Sequence, residues 1–130
     1  MTVQEAINRT DALATNQYSA AQKLRWLSDL DGKILLELSG PREARRVVPG
    51  AFEGYTEGEE ELLVPAPFAG DVYENYLLSR IAQANAEIQK YNLYAALFNT
   101  AYQQFASWVL RSRRPGRAEG WCLTCRSFRL

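Results

Sequence analysis

Apolar residues recur at helical spacing in three stretches of this 130-residue chain and lose that period in a fourth. Over 2–13, Val3, Ala6, Ile7 and Leu13 share one side while Gln4, Asn8, Arg9 and Asp11 take the other, which predicts a short first helix. The polar break 15–19 carries its own restart signal. Ser19 followed by Gln22 fits a capping box, in which the hydroxyl accepts from an orphan N–H and the amide reaches back. A second helix is therefore predicted over 20–38, with Leu24, Leu27, Leu30 (or Asp31 beside it), Ile34 and Leu38 in register. Lys23, Asp29, Lys33 and Glu37 fall largely on its other faces. Gly40-Pro41 ends it, because glycine supplies the left-handed turn and proline cannot continue the hydrogen-bond ladder.

No helical period survives from 41 to 70, where Gly50, Gly54, Gly58, Pro49, Pro65 and Pro67 divide the chain. Connections of this length are functional or conceal strands. The runs Arg46-Val47-Val48 and Glu61-Leu62-Leu63-Val64 flank a polar tract, so the segment reads as a long extended loop or a β-hairpin. Asp71, with Glu74 three positions on, forms an acidic capping box and is expected to open the next helix. Tyr73, Leu77, Ile81, Ala84, Ile88 and Tyr91 then make one apolar stripe, and Leu97, Phe98, Ala101, Tyr102, Phe105, Trp108 and Val109 make another. Neither glycine nor proline separates them, which argues against a tight antiparallel turn. One long helix, or two segments meeting at a bend near 91–93, is expected to run to Arg114 before Pro115-Gly116.

The fold class is thus mainly α. It is a small helical bundle of two N-terminal helices, the loop or hairpin at about 41–70, and a long or bent C-terminal helix at about 71–113. Residues 1–114 form one domain and 115–130 a basic tail. The expected core uses Leu27, Ile34, Leu77, Ile81, Ile88, Leu97, Phe98, Phe105 and Trp108.

Charge sharpens this picture. The 15 basic and 15 acidic residues balance, but Arg111, Arg113, Arg114, Arg117, Arg126 and Arg129 face one acid, Glu119, so an acidic body carries a basic end. The chain has no histidine, which removes the commonest general base, triad partner and nitrogen ligand for zinc. The opening residues lack a basic segment followed by an apolar run, so no secretory signal is expected, and no apolar stretch is long enough to span a bilayer.

Cys122-Leu-Thr-Cys125 has the spacing of half a zinc site, but nothing else in the chain completes one, and the pair reads as two incidental thiols. Glu57, Glu59, Glu60 and Glu61 read as a solvated loop tip, or as an acidic loop that faces DNA and lets it slide. The clusters Arg42, Arg45, Arg46 and Arg111, Arg113, Arg114 lack a recognition helix, stacking platform or phosphate loop, which disfavours sequence-specific DNA binding. Asn75, Asn85, Asn92 and Asn99 recur along the long helical stretch. With Gln83, Gln89, Gln103 and Gln104 they read as an amide-rich face opposite the aromatic stripe, either solvated or a subunit contact in which amides bond across helices.

Several short motifs resemble a known family: Asn16-Gln17-Tyr18, Trp26-Leu27-Ser28 with Asp31-Gly32, Leu63-Val64-Pro65 before the helix, Glu87-Ile88 with Tyr91-Asn92, and Phe98-Asn99 with Ala101-Tyr102. Over residues 16–115 the chain is similar to head-tail connector (adaptor) proteins of tailed phages and prophages of Gram-positive bacteria. The tail beyond Pro115 departs from that pattern, and nothing is carried onto it.

The resemblance implies a non-enzymatic virion subunit without cofactor or metal, assembled in the bacterial cytoplasm and located in the virion neck. Such subunits form a ring, commonly twelvefold, beneath the portal protein. They extend the DNA channel, touch the translocating DNA passively and dock a downstream head-closure or tail protein, with no membrane contact. On this reading the inter-subunit or portal contacts are Arg42, Arg45, Arg46, Val47, Val48, Phe52, Tyr55, Leu62, Leu63, Asn85, Asn92, Asn99, Arg111, Arg113 and Arg114. Glu57, Glu59, Glu60 and Glu61 face the channel. The alternative is a small helical regulator or partner-binding protein acting through its basic C-terminus.

Overall fold

The computed structural model describes residues 1–38 and 54–112. These form four helices, α1 (Val3–Leu13), α2 (Ala20–Leu38), α3 (Phe68–Ala84) and α4 (Ile88–Ser112), with no strand among the described residues. The mainly α expectation holds. The Gly40-Pro41 stop, the Arg46–Val48 run and the tail lie outside the described residues.

Both N-terminal helices start where their capping chemistry sits. The Thr2 hydroxyl accepts from the Glu5 N–H at 3.2 Å and Ser19 Oγ from the Gln22 N–H at 3.2 Å, each satisfying an orphan donor. On α1 the buried set is Val3, Ala6, Ile7 and Thr10. Leu13 is exposed, because Thr10 takes the inward position and returns its hydroxyl proton to the Ala6 carbonyl at 2.9 Å. On α2, Trp26, Leu27, Leu30, Asp31, Ile34 and Leu35 are buried, and so, against expectation, is Lys23. Its ammonium reaches across to the Asp11 carboxylate and ties α1 to α2.

The helix expected at Asp71 begins three residues earlier, at Phe68. Its first N–H groups, those of Phe68 and Ala69, donate to the Pro65 carbonyl at 3.1 Å each, and Pro67 at the cap position has no N–H to satisfy. The acidic capping box does not form. Asp71 lies within the first turn, and Glu74 instead pairs with Arg9 of α1 at 2.6 Å.

The largest departure comes at residues 85–87. Instead of a bend near 91–93, the chain reverses there, and α4 returns antiparallel along α3. Phe68 meets Phe105 (ring centroids 5.8 Å apart) and Trp108 (5.5 Å), while Tyr76 meets Phe98 (5.4 Å). The turn needs no glycine because Ala86 itself adopts the left-handed conformation, φ 59°. The Glu87 N–H donates to the Ala82 carbonyl (2.9 Å) and the Ala86 N–H to the Gln83 carbonyl (3.1 Å), the paired bonds of a Schellman cap.

The turn is also held from outside. The Tyr18 hydroxyl donates to Asn85 Oδ1 at 2.7 Å, the Gln17 amide to the same oxygen at 3.2 Å, and Asn85 Nδ2 reaches Glu87 Oε1 at 3.3 Å. Beside it, the Arg80 guanidinium lies 5.6 Å above the Trp26 ring, and Trp26 packs on Tyr18 at 5.6 Å. This cluster anchors the tip of the α3–α4 hairpin to α2.

Reversal six residues early repartitions the second apolar stripe. Leu27, Ile34, Leu77, Ile81 and Phe105 are buried as expected, and Phe98 and Trp108 pack against the core while partly exposed. Ile88 and Leu97 are not core residues: they are 71% and 44% exposed. Ile88 was in register with the core only for a helix running straight through residue 86, and Leu97 falls at the outer edge of the second stripe.

Two stability outcomes follow. Ala86→Gly should raise the unfolding free energy by about 1 kcal/mol, since glycine carries no Cβ penalty at positive φ; urea denaturation checks it, and an unchanged or lower midpoint would contradict the turn geometry. Phe105→Ala should cost roughly 3–5 kcal/mol in the same assay, because Phe105 is fully buried.

Candidate interaction surface

The described residues contain one deeply buried cluster of titratable groups, centred on Asp31 of α2. Its Oδ2 accepts from the Leu63 N–H (3.0 Å) and from the Tyr55 hydroxyl, and its Oδ1 accepts from the Tyr73 hydroxyl (2.6 Å). Tyr73 in turn accepts from the Val64 N–H at 2.8 Å. Gly54 admits this approach. With φ 95° its absent Cβ leaves room for Ser28, which would lie 3.2 Å from such an atom, and Ser28 Oγ accepts from the Tyr55 N–H at 2.8 Å.

Burial pushes the Tyr73 phenol well above its ordinary value, and the charge of Asp31 and its hydrogen bond reinforce the shift. Asp31, Tyr73, Leu63 and Val64 are all enclosed. A group that no substrate can reach is a fastening: Asp31 fixes the 54–64 segment between α2 and α3.

This fastening relocates several expected contact residues. Tyr55, Leu62 and Leu63, expected between subunits, are buried in the core of the single chain. The Leu62 N–H bonds the Met1 carbonyl at 3.0 Å and the Val3 N–H the Glu60 carbonyl at 3.0 Å, so the Glu61 stretch pairs with the first residues of the chain through a single antiparallel bridge, Thr2 to Glu61. Within the acidic tip, Glu60 Oε1 accepts from the N–H groups of Thr56 and Glu57 (2.6 Å each), and the Glu61 carboxylate pairs with the Met1 amino group at 3.3 Å. Glu57 and Glu59 carry their charge at the exposed surface. Arg42, Arg45, Arg46, Val47, Val48, Phe52, Arg113 and Arg114 lie outside the described residues, as do Cys122 and Cys125.

The asparagine series also divides. Asn85 belongs to the turn, where Tyr18 and Gln17 hold it, so its seven-residue spacing to Asn92 crosses a helix break and does not place the two on one face. Asn92 and Asn99 do share a helix, and both are exposed.

They border the most unusual surface of the described protein. α4 packs along α3 on one side, and its outward positions, Gln89, Leu93, Ala96, Thr100, Gln103, Ser107 and Leu110, succeed each other at spacings of four and three and are all exposed. Leu97, Gln104 and Arg111 flank this stripe on one side, Asn92 and Asn99 on the other. Between Lys90 and Arg111 the helix carries no charge at all.

Leu93 is 55% and Leu110 63% exposed. Phe68, Thr100, Gln103, Gln104, Ser107 and Arg111 line an open hollow in this face, and Ala82, Gln83, Ala86, Glu87, Ile88 and Tyr91 line a smaller apolar one at the hairpin tip. A helix face that only meets water ordinarily carries lysine, glutamate or arginine. One made of leucine, alanine, serine, threonine and amides has the charge-depleted composition of a protein contact. The glutamines at 89, 103 and 104 mark part of this face in the sequence, and the charge-free run 91–110 marks the rest.

Among the described residues no helix is long and apolar enough to cross a membrane, and no group of three or more His, Cys, Asp or Glu gathers as metal ligands. Comparison of the chain with protein-family models, with curated proteins and with solved structures gives no match.

The Asp31 fastening sets an alkaline limit. The folded-state value of Tyr73 lies above that of an unfolded tyrosine, about 10, so its contribution is complete below that pH and is lost as pH rises toward the folded value. Thermal midpoints should therefore fall above about pH 10, and Tyr73→Phe should flatten that fall while lowering stability near neutral pH. A wild-type midpoint independent of alkaline pH would show that Tyr73 ionises freely.

Proposed function

We propose that the chain is a structural, non-enzymatic subunit of the connector between the head and tail of a tailed phage, one copy of a ring beneath the portal that extends the DNA channel. The observation that carries this reading is the exposed face of α4: about six helical turns of uncharged surface, mounted on a hairpin whose tip is fixed to α2. Such a face suits docking against other protein copies. It supplies no cluster of catalytic groups.

The residues that carry the resemblance to connector proteins act in packing. Gln17 and Tyr18 hold Asn85 in the turn, Trp26 receives Arg80, Asp31 fastens the 54–64 segment, and the Tyr102 hydroxyl donates to Glu37 at 2.9 Å, joining α4 to α2. A likeness located in such positions bears on the fold, from which the ring reading extends. Glu57 and Glu59, exposed on an acidic loop, suit a surface that DNA passes without adhering, because like charges repel and no counterions are released. The portal and a head-closure or tail protein are the remaining partners in this reading.

Electron microscopy tests it directly. Mixed with the portal protein encoded in the same gene cluster, the full chain should add a collar to the portal ring, and light scattering should report the matching mass. Failure to bind that portal, or a gene neighbourhood without portal and capsid genes, would refute the connector role.

A further inference from the structure

The outward stripe of α4 is matched to itself. Read from the midpoint between Ala101 and Tyr102, Leu93 mirrors Leu110, Ala96 mirrors Ser107, and Thr100 mirrors Gln103. Two such helices laid antiparallel across a two-fold axis would set leucine against leucine at both ends and small residues against small ones inside them. Just off the axis, the Thr100 hydroxyls would lie beside the Gln103 amides.

Charge favours the same arrangement. A two-fold contact brings each group near its own mate or its mirror position, so an acidic body is repelled from itself wherever its charges enter the contact. α1, α2, α3 and the 54–64 segment all expose charged side chains, including Arg25, Asp29, Lys33, Glu37, Glu57, Glu59 and Asp71. Among the described residues, the stretch between Lys90 and Arg111 is the one long helical face that can meet its copy without opposing like charges.

We infer that the free protein forms an antiparallel two-fold dimer through α4, a second copy occupying the stripe from Leu93 to Leu110. The small side chains at Ala96, Thr100 and Ser107 let the two helices approach closely, and the hollow beside Phe68 gives the partner's side chains room. This rests on the same premise as the connector reading, that α4 is a docking face, but needs neither a ring nor a portal. Within that reading, the dimer keeps α4 covered until a portal replaces the second copy.

Sedimentation velocity on the full chain across the micromolar range should show monomers giving way to dimers. Thr100→Lys and Gln103→Glu, each placing two like charges beside the axis, should each weaken the dimer by at least about tenfold. The double variant Thr100→Lys/Gln103→Glu should restore it, because each introduced charge then faces its opposite on the other copy. Circular dichroism confirms that every variant is folded, which their exposed positions favour.

A wild-type chain that stays monomeric, single variants that dimerise normally, or a double variant no better than the singles would each overturn the inference. A monomeric chain that still adds a collar to the portal would overturn the dimer alone. A dimer that never binds the portal would overturn the connector reading alone.

Discussion

A carboxyl group on the buried side of α2 must find donors, and the packing of α2, the 54–64 segment and α3 is arranged around those it finds. Leaving one buried donor without its acceptor costs on the order of 1–3 kcal/mol, and Asp31 serves three at once: the Tyr55 and Tyr73 hydroxyls and the Leu63 N–H. Two of these come from the irregular segment and one from α3. The carboxyl group therefore fixes the path of a stretch that has no helix or strand of its own to define it. Tyr73 extends the arrangement by accepting from Val64, immediately before the prolines that launch α3.

The direction of α3 depends on that launch, and the reversal into α4 depends on a second polar arrangement at the far end. There Tyr18 and Gln17, in the short break between α1 and α2, grip Asn85. The hairpin is thus held at its root by a buried acid and at its tip by an amide. Between these points α4 packs through its inner, aromatic face: Phe98 and Phe105 meet Tyr76 and Phe68 of α3, and Val109 is buried. Its outer face is released from any duty to the fold, and selection on that face can follow what it meets.

Local chemistry made the first half of this legible in the sequence. α2 spans Ala20–Leu38 as its period and the Ser19 hydroxyl dictate, and α1 follows Thr2. Elsewhere the deciding interactions join residues far apart in the chain. Glu74 reads as a capping residue, yet Arg9 claims it. Lys23 reads as solvated, yet Asp11 makes burial tolerable. Ala86 gives no turn signal, because a non-glycine residue at positive φ is unfavourable taken alone. Asparagine at 85 can be seen as part of a turn only once Tyr18, distant in sequence, is known to reach it.

That hidden reversal also decides what could be read of the interaction surface. With a straight helix through residue 86, Ile88 continues the core stripe and the asparagines form one row. With the chain reversed, Ile88 faces outward with Leu97, Asn85 leaves the row, and the exposed positions join the amide-bearing Gln103 to residues that read as filler between aromatics: Ala96, Thr100 and Ser107. Small and amide-bearing residues rank low as core predictors and lower still as charged-surface predictors. Their concentration on one side of a helix held only from the other makes sense when a second protein surface is part of its environment. The charge-free run from Tyr91 to Leu110 therefore fits the proposed contact, since packing of the chain itself engages the inner side of α4, toward α3 and, through Tyr102, toward α2.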